Sequence, residues 1–217
     1  MKQTILLFAF ALLSVIGSAQ TDPTPSKYVT GMEKQLVTLD TAFTPSTLQK
    51  SYNSLERIAN AEKTEWLPNY YMAYCLVMQA YQVETSQVDS YCDRANLLLD
   101  RADSLNGDVS EIYVMRAMVA GARINVDPRT RGAKYGKMSG AFLDSAEVHN
   151  PANPRITLTR GQALFYTPPM FGGGKAKAKP LLEESVKKYE AFVPASSIAP
   201  HWGKNRATQL LADCNKK

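Results

Sequence analysis

Apolar residues recur at three-to-four spacing in one long strip after another, and alternating strand-like stretches do not occur. Helix-breaking punctuation separates the strips: Pro45, Pro68, Asn106-Gly107, Asp127-Pro128, Asn150-Pro151, Pro168-Pro169, Gly172-Gly173-Gly174, and the stretch 194–200. The pattern predicts an all-α chain of eight or nine helices. Asp108, Ser110 and Asn153 stand where a side-chain oxygen can accept the orphan N–H groups of a first turn, so they are expected N-caps. An N-terminal capping helix is expected over 28–39 and a last helix over about 200–214.

Within these strips a period of 44 residues emerges. It relates Ser51, Ala95 and Ser139; Leu55, Leu99 and Leu143; Ile58, Ala102 and Ala146; Ala73, Ala117 and Gly161; and Leu76, Ala120 and Leu164. Every one of these residues is small or aliphatic. On a helix, Ala95, Leu99 and Ala102 share one face, as do Ser139, Leu143 and Ala146. A small residue admits a neighbouring backbone, and the Leu fills the groove between ridges.

The arrangement resembles the tetratricopeptide repeat, with small residues at the helix contacts and Pro151 closing a unit, over about 51–214. The resemblance implies an antiparallel helical-pair solenoid. The units are about ten residues longer than a tetratricopeptide unit of about 34. The excess falls between the helices of each pair, at 82–90, 125–136 and 167–175, and is expected to form loops along one edge. The large aromatic residue early in the repeat's first helix is missing or displaced.

With Ala73, Ala117 and Gly161 at the small helix-contact position, the resemblance directs particular neighbours to the inner face. These are Leu67, Tyr70, Tyr74, Val77 and Met78 in the first unit, and Glu111, Val114 and Met118 in the second. The third unit contributes Arg155, Leu158, Gln162, Phe165 and Tyr166. The candidate groove and ligand residues among them are Tyr70, Tyr74, Met78, Val114, Met118, Arg155, Leu158, Gln162, Phe165 and Tyr166. Such a face is mostly apolar and aromatic, and a surface of that kind is seldom left wet. Either it receives an apolar ligand or partner helix, or the C-terminal residues Trp202, Leu210 and Leu211 fill it.

The start of the chain changes how the rest is read. Lys2, an apolar stretch over 5–16 and the small residues Gly17, Ser18 and Ala19 form a secretory leader, with cleavage expected between Ala19 and Gln20. The stretch is too short to span hydrocarbon, so no stable membrane insertion is expected after cleavage. A short flexible N-terminus over 20–26 and one helical domain over 27–217 would follow, located in the periplasm or outside the cell. In that setting the formal charge of +5, or +4 once Lys2 is removed with the leader, points to solubility or an anionic surface rather than to nucleic acid. Three cysteines, Cys75, Cys92 and Cys214, allow at most one internal bridge, and their spacing fits no zinc site.

Chemistry is sparse. His149 and His201 lie in separate turns, no nucleophile or metal motif is present, and the carboxylates fall on amphipathic faces. No cofactor, no metal and no catalytic activity are expected. The most distinctive stretch is 165–175, where Gly172, Gly173, Gly174 and Lys175 lead into a helix whose N-terminus could hold an anion. The alternative for the same residues is a tight reversal with Met170 and Phe171 packed beneath it. This turn, with His201-Trp202-Gly203 downstream, resembles exported tetratricopeptide-like proteins of Gram-negative bacteria, related in architecture to the periplasmic T component of TRAP-type transporters. That resemblance implies an all-helical binding or accessory protein. The leading expectation is a non-catalytic scaffold or accessory subunit that binds another protein. The alternative is a carrier of an apolar small molecule or lipid.

Overall fold

The computed structural model describes residues 26–41 and 44–216, so the expected leader lies outside the described residues. Nine α-helices are present among the described residues, and no strand. They are α1 (Lys27–Thr41), α2 (Pro45–Ala61), α3 (Leu67–Ala80), α4 (Thr85–Ser104), α5 (Val109–Ile124), α6 (Pro128–His149), α7 (Pro154–Tyr166), α8 (Lys175–Ala191) and α9 (Lys204–Asn215). A single 3-10 turn, Pro169–Phe171, lies between α7 and α8. No described helix is long and apolar enough to cross a membrane.

Local chemistry sets the starts. Thr44, Asp108, Asp127 and Asn153 each accept a first-turn N–H with their side-chain oxygen, and Pro45, Pro128 and Pro154 follow three of them. Ser110 is not a cap. It lies inside α5, where its Oγ donates to the Ala146 carbonyl at 3.0 Å and ties α5 to α6. At the end of α4, Asn106 adopts φ 59° and the Gly107 N–H returns to the Ala102 carbonyl.

The helices pack mainly with their chain neighbours, most extensively α5 with α6, α7 with α8 and α3 with α4, while α3, α5 and α7 also touch in series. For most of its positions the period of 44 is a period of environment, Ile58 and Leu164 being half-buried where their counterparts are buried. Leu55, Leu99 and Leu143 are at most 2% exposed, and Ala73, Ala117 and Gly161 are all buried. Much of the expected inter-helix excess is helix rather than loop. Asp127 and Pro128 start α6 early, so it reaches 22 residues, and α4 reaches 20. The stretch 167–174 remains outside any α-helix.

Candidate functional site

The inner face is filled. Equivalent positions of successive units meet there, and residues 67, 111 and 155 are Leu, Glu and Arg. The last two form a buried ion pair. Arg155 Nε lies 2.9 Å from both Glu111 carboxylate oxygens, and Nη2 lies 2.6 Å from Oε1. Tyr70 Oη donates to the same carboxylate at 2.9 Å, as does Asn153 Nδ2 at 2.7 Å. The Arg155 guanidinium lies 4.7 Å from the Phe192 ring centroid and 5.6 Å from that of Trp202. Burial works against the guanidinium's charge, but the Glu111 carboxylate outweighs it and holds Arg155 above the usual arginine range. Burial, and then Glu111, push the Tyr70 phenol well up, so it stays a neutral donor.

The segment between α8 and α9 closes over this cluster. Trp202 Nε1 donates to Tyr70 Oη at 2.9 Å, its ring lies 5.1 Å from that of Tyr74, and its carbonyl accepts from Tyr189 Oη at 2.9 Å. Tyr71 Oη donates to the Ile198 carbonyl at 3.4 Å. Trp202 is one filler, and Leu210 is another, buried in a second apolar cluster with the inner-face Leu158, Leu182 and Ala207, against which Trp202 and Leu211 also pack. Of the candidate groove residues, Tyr70, Tyr74, Val114, Met118, Arg155 and Leu158 are buried. Met78, Gln162 and Phe165 are half-buried, and Tyr166 is exposed. The structure gathers Tyr70, Tyr74 and Arg155 around Trp202, while Phe165 and Tyr166 lie at the far end of α7.

That end is where apolar surface faces water. Among the described residues nine large apolar side chains are exposed, and Tyr166 (61%), Met170 (83%) and Phe171 (71%) fall within six positions of one another. Phe165 meets the Tyr166 ring edge-on at 5.1 Å. The Arg206 guanidinium bonds to the Tyr166 phenol oxygen and lies 5.8 Å from its ring centroid. Lys175 Nζ, at the start of α8, donates to the Lys216 carbonyl at 3.4 Å.

The glycines build this tip. Gly172 and Gly174 adopt φ 91° and 105°, and a Cβ on Gly173 would lie 2.1 Å from the Thr167 carbonyl oxygen. All three glycine N–H groups are used within the turn, donating to the carbonyls of Pro169, Pro168 and Leu164. None is left for an anion. Met170 and Phe171 are not packed beneath the reversal either, because a three-residue 3-10 turn between Pro168 and Gly172 is too tight to fold them back. A signal for this was present in the sequence, as two large apolar residues bracketed by Pro-Pro and three glycines. Nothing in the sequence tied Arg206 to Tyr166, which lies 40 positions away.

The remaining reactive groups are dispersed. His149 stacks on Tyr113 with centroids 5.9 Å apart, and His201 Nε2 lies 3.3 Å from Asp40. No group of three or more His, Cys, Asp or Glu suited to a metal ion occurs among the described residues. All three cysteines are free thiols, and burial pushes Cys75 up to about 12 and Cys92 to about 11. Two shallow clefts open between successive second helices. One, of about 370 Å³, is bounded by α2, α3 and α4, and the other, of about 260 Å³, by α4, α5 and α6.

No family model matches the chain, and no curated protein does. Among solved structures it is similar to the HusA haemophore from Porphyromonas gingivalis. The two are 40% identical with a TM-score of 0.78, over 87% of this chain and 92% of that one.

Proposed function

We propose that this chain, which belongs to the family of the HusA haemophore, is an exported carrier of haem that holds its cargo against the tip formed by Phe165, Tyr166, Met170 and Phe171. The observation that carries this reading is the concentration of exposed apolar side chains between 166 and 171. Such patches on an otherwise polar surface mark binding sites. Haem is a flat apolar ring with two carboxylates and an iron that accepts axial ligands. Aromatic faces and a thioether suit the ring, and Arg206 and Lys175 supply cations for the carboxylates. Tyr oxygen and Met sulfur are both established haem ligands, and Tyr166 and Met170 present one of each.

A protein partner would use the same patch, as the repeat architecture first suggests. The carrier reading is preferred because a 40%-identical protein is a haemophore. The hairpins are read as a lengthened tetratricopeptide-like solenoid, with the mature chain beginning at Gln20. A carrier needs no reaction, and no catalytic role is assigned.

Titration of the full chain with haemin, followed by visible absorption, tests the reading. The wild type is expected to saturate with a shifted absorption band. A variant combining Tyr166→Ala, Met170→Ala and Phe171→Ala should remain folded and lose that saturation. Undiminished affinity in the triple variant would remove the tip from the site. No haem binding by the wild type, with capture of one stoichiometric protein instead, would return the scaffold.

A further inference from the structure

The two clefts on the outer face are copies of one another. Ala59, Asn69, Met72 and Leu98 line the first, and Asp103, Tyr113, Arg116 and Phe142, each 44 positions later, line the second. The second is partly closed by its own side chains. Tyr113 stacks on Phe142 with centroids 6.0 Å apart, and Arg116 pairs with Asp100 at 2.8 Å. The following unit repeats the ion pair, with Arg160 at 2.6 Å from Asp144 and 2.7 Å from Glu147.

The first unit breaks the pattern. Its acid is retained as Glu56, but Met72 stands where the arginine would be, and Glu56 makes no ion pair among the described residues. Asn69 and Leu98 replace the stacked Tyr113 and Phe142, which accounts for the larger opening. Asn69 is 8% exposed, lines the cleft, and its side-chain amide makes no hydrogen bond among the described residues. Its amide atoms stay accessible from the cleft and can take a hydrogen bond from there. Lys63 and Arg101 stand at the rim, giving two cations against one acid.

We propose that this cleft is a second ligand site, distinct from the haem tip, that takes an amphipathic carboxylate. The apolar body lies over Ala59, Met72 and Leu98, the carboxylate meets Lys63 and Arg101, and the Asn69 amide supplies a further hydrogen bond. The cleft, of about 370 Å³, is half open to solvent. A cationic ligand is disfavoured by the excess of positive charge at the rim. The inference stands on the repeat comparison and does not rest on the haem reading.

Dodecanoate is the probe, with dodecanol and dodecyltrimethylammonium as chain-matched controls, added to the isotope-labelled full chain and followed by amide NMR. Saturable shifts of the Asn69 side-chain amide and of the Met72 and Leu98 backbone amides are expected with dodecanoate alone. Met72→Arg should install the missing pair with Glu56, fill the apolar floor of the cleft and weaken dodecanoate by about tenfold or more, while haemin titration stays unchanged. Leu98→Phe, which copies Phe142, tests the same point should the arginine variant fail to fold. Equal saturation by all three probes, shifts confined to 165–171, or full dodecanoate affinity in folded Met72→Arg and Leu98→Phe would overturn the proposal. Displacement of dodecanoate from Asn69 by haemin would also overturn it, by making the cleft the haem site. Loss of haem binding in the tip variant with dodecanoate binding intact would support two separate sites.

Discussion

Replacing Arg155 by Met leaves the Glu111 carboxylate buried with two neutral donors, Tyr70 Oη and Asn153 Nδ2, and no counter-charge. Removing one member of a buried ion pair costs about 3–5 kcal/mol. The guanidinium's contacts with the Phe192 and Trp202 rings, each about 0.5–2 kcal/mol when shielded from water, push the value toward the upper end. A domain's whole stability is about 5–15 kcal/mol, so the variant should be close to the edge of folding. Urea unfolding followed by tryptophan fluorescence reports on it directly, because Trp202 covers the pair. With an m-value of about 2 kcal/mol/M, the midpoint should fall by about 2 M. Adding Glu111→Gln removes the stranded charge while keeping an oxygen that Tyr70 and Asn153 can reach. The double variant should therefore be more stable than Arg155→Met alone by about 2 kcal/mol. A single variant that loses less than about 1 kcal/mol, or a double variant no better than the single, would refute the assignment of the pair as the keystone of the inner face.

Two further outcomes follow from the packing. Gly161→Leu should destabilise by about 1–3 kcal/mol or more, since even a Cβ there would lie 2.9 Å from Leu182 Cδ2; unchanged thermal unfolding would remove Gly161 from the α7–α8 contact. In native protein iodoacetamide should modify Cys214, which is partly exposed, before Cys75 and Cys92, which are fully buried with raised thiol values. Mass spectrometry of the native adduct reads the order, and early labelling of Cys75 would contradict its burial.

Much of the scaffold was legible because helix packing is periodic and local. Leu55, Leu99 and Leu143 are apolar at a fixed phase, and that phase alone implies equal depth in a stack of hairpins. The N-caps at Asp108 and Asn153 were readable for the same reason, since a cap and its acceptor lie within three residues. Ser110 was misassigned because an N-cap and a hydroxyl reaching the next helix carry the same residue type. The edge loops were misjudged where Asp127-Pro128 could equally close one segment or open the next helix.

The candidate site was legible only in part. Phe165 and Tyr166 were named on the premise of an inner groove, and the structure places them at the far end of α7, within six positions of Met170 and Phe171. The groove itself was undecidable from sequence, because Trp202 reaches Tyr70 from 132 positions away. The missing arginine at Met72 could be read from the repeat phase, yet its meaning required knowing that Arg116 and Arg160 lie against Asp100 and Asp144.

The sequence by itself determined the helices, their pairing and the depth of most of the repeated side chains, because those follow from periods of 3.6 and 44 residues. The tertiary structure decided which surfaces stay open. That depends on where side chains far apart in the chain come to rest: Trp202 closing the inner face, an ion pair narrowing one outer cleft but not its neighbour, and a turn too tight to bury what it carries.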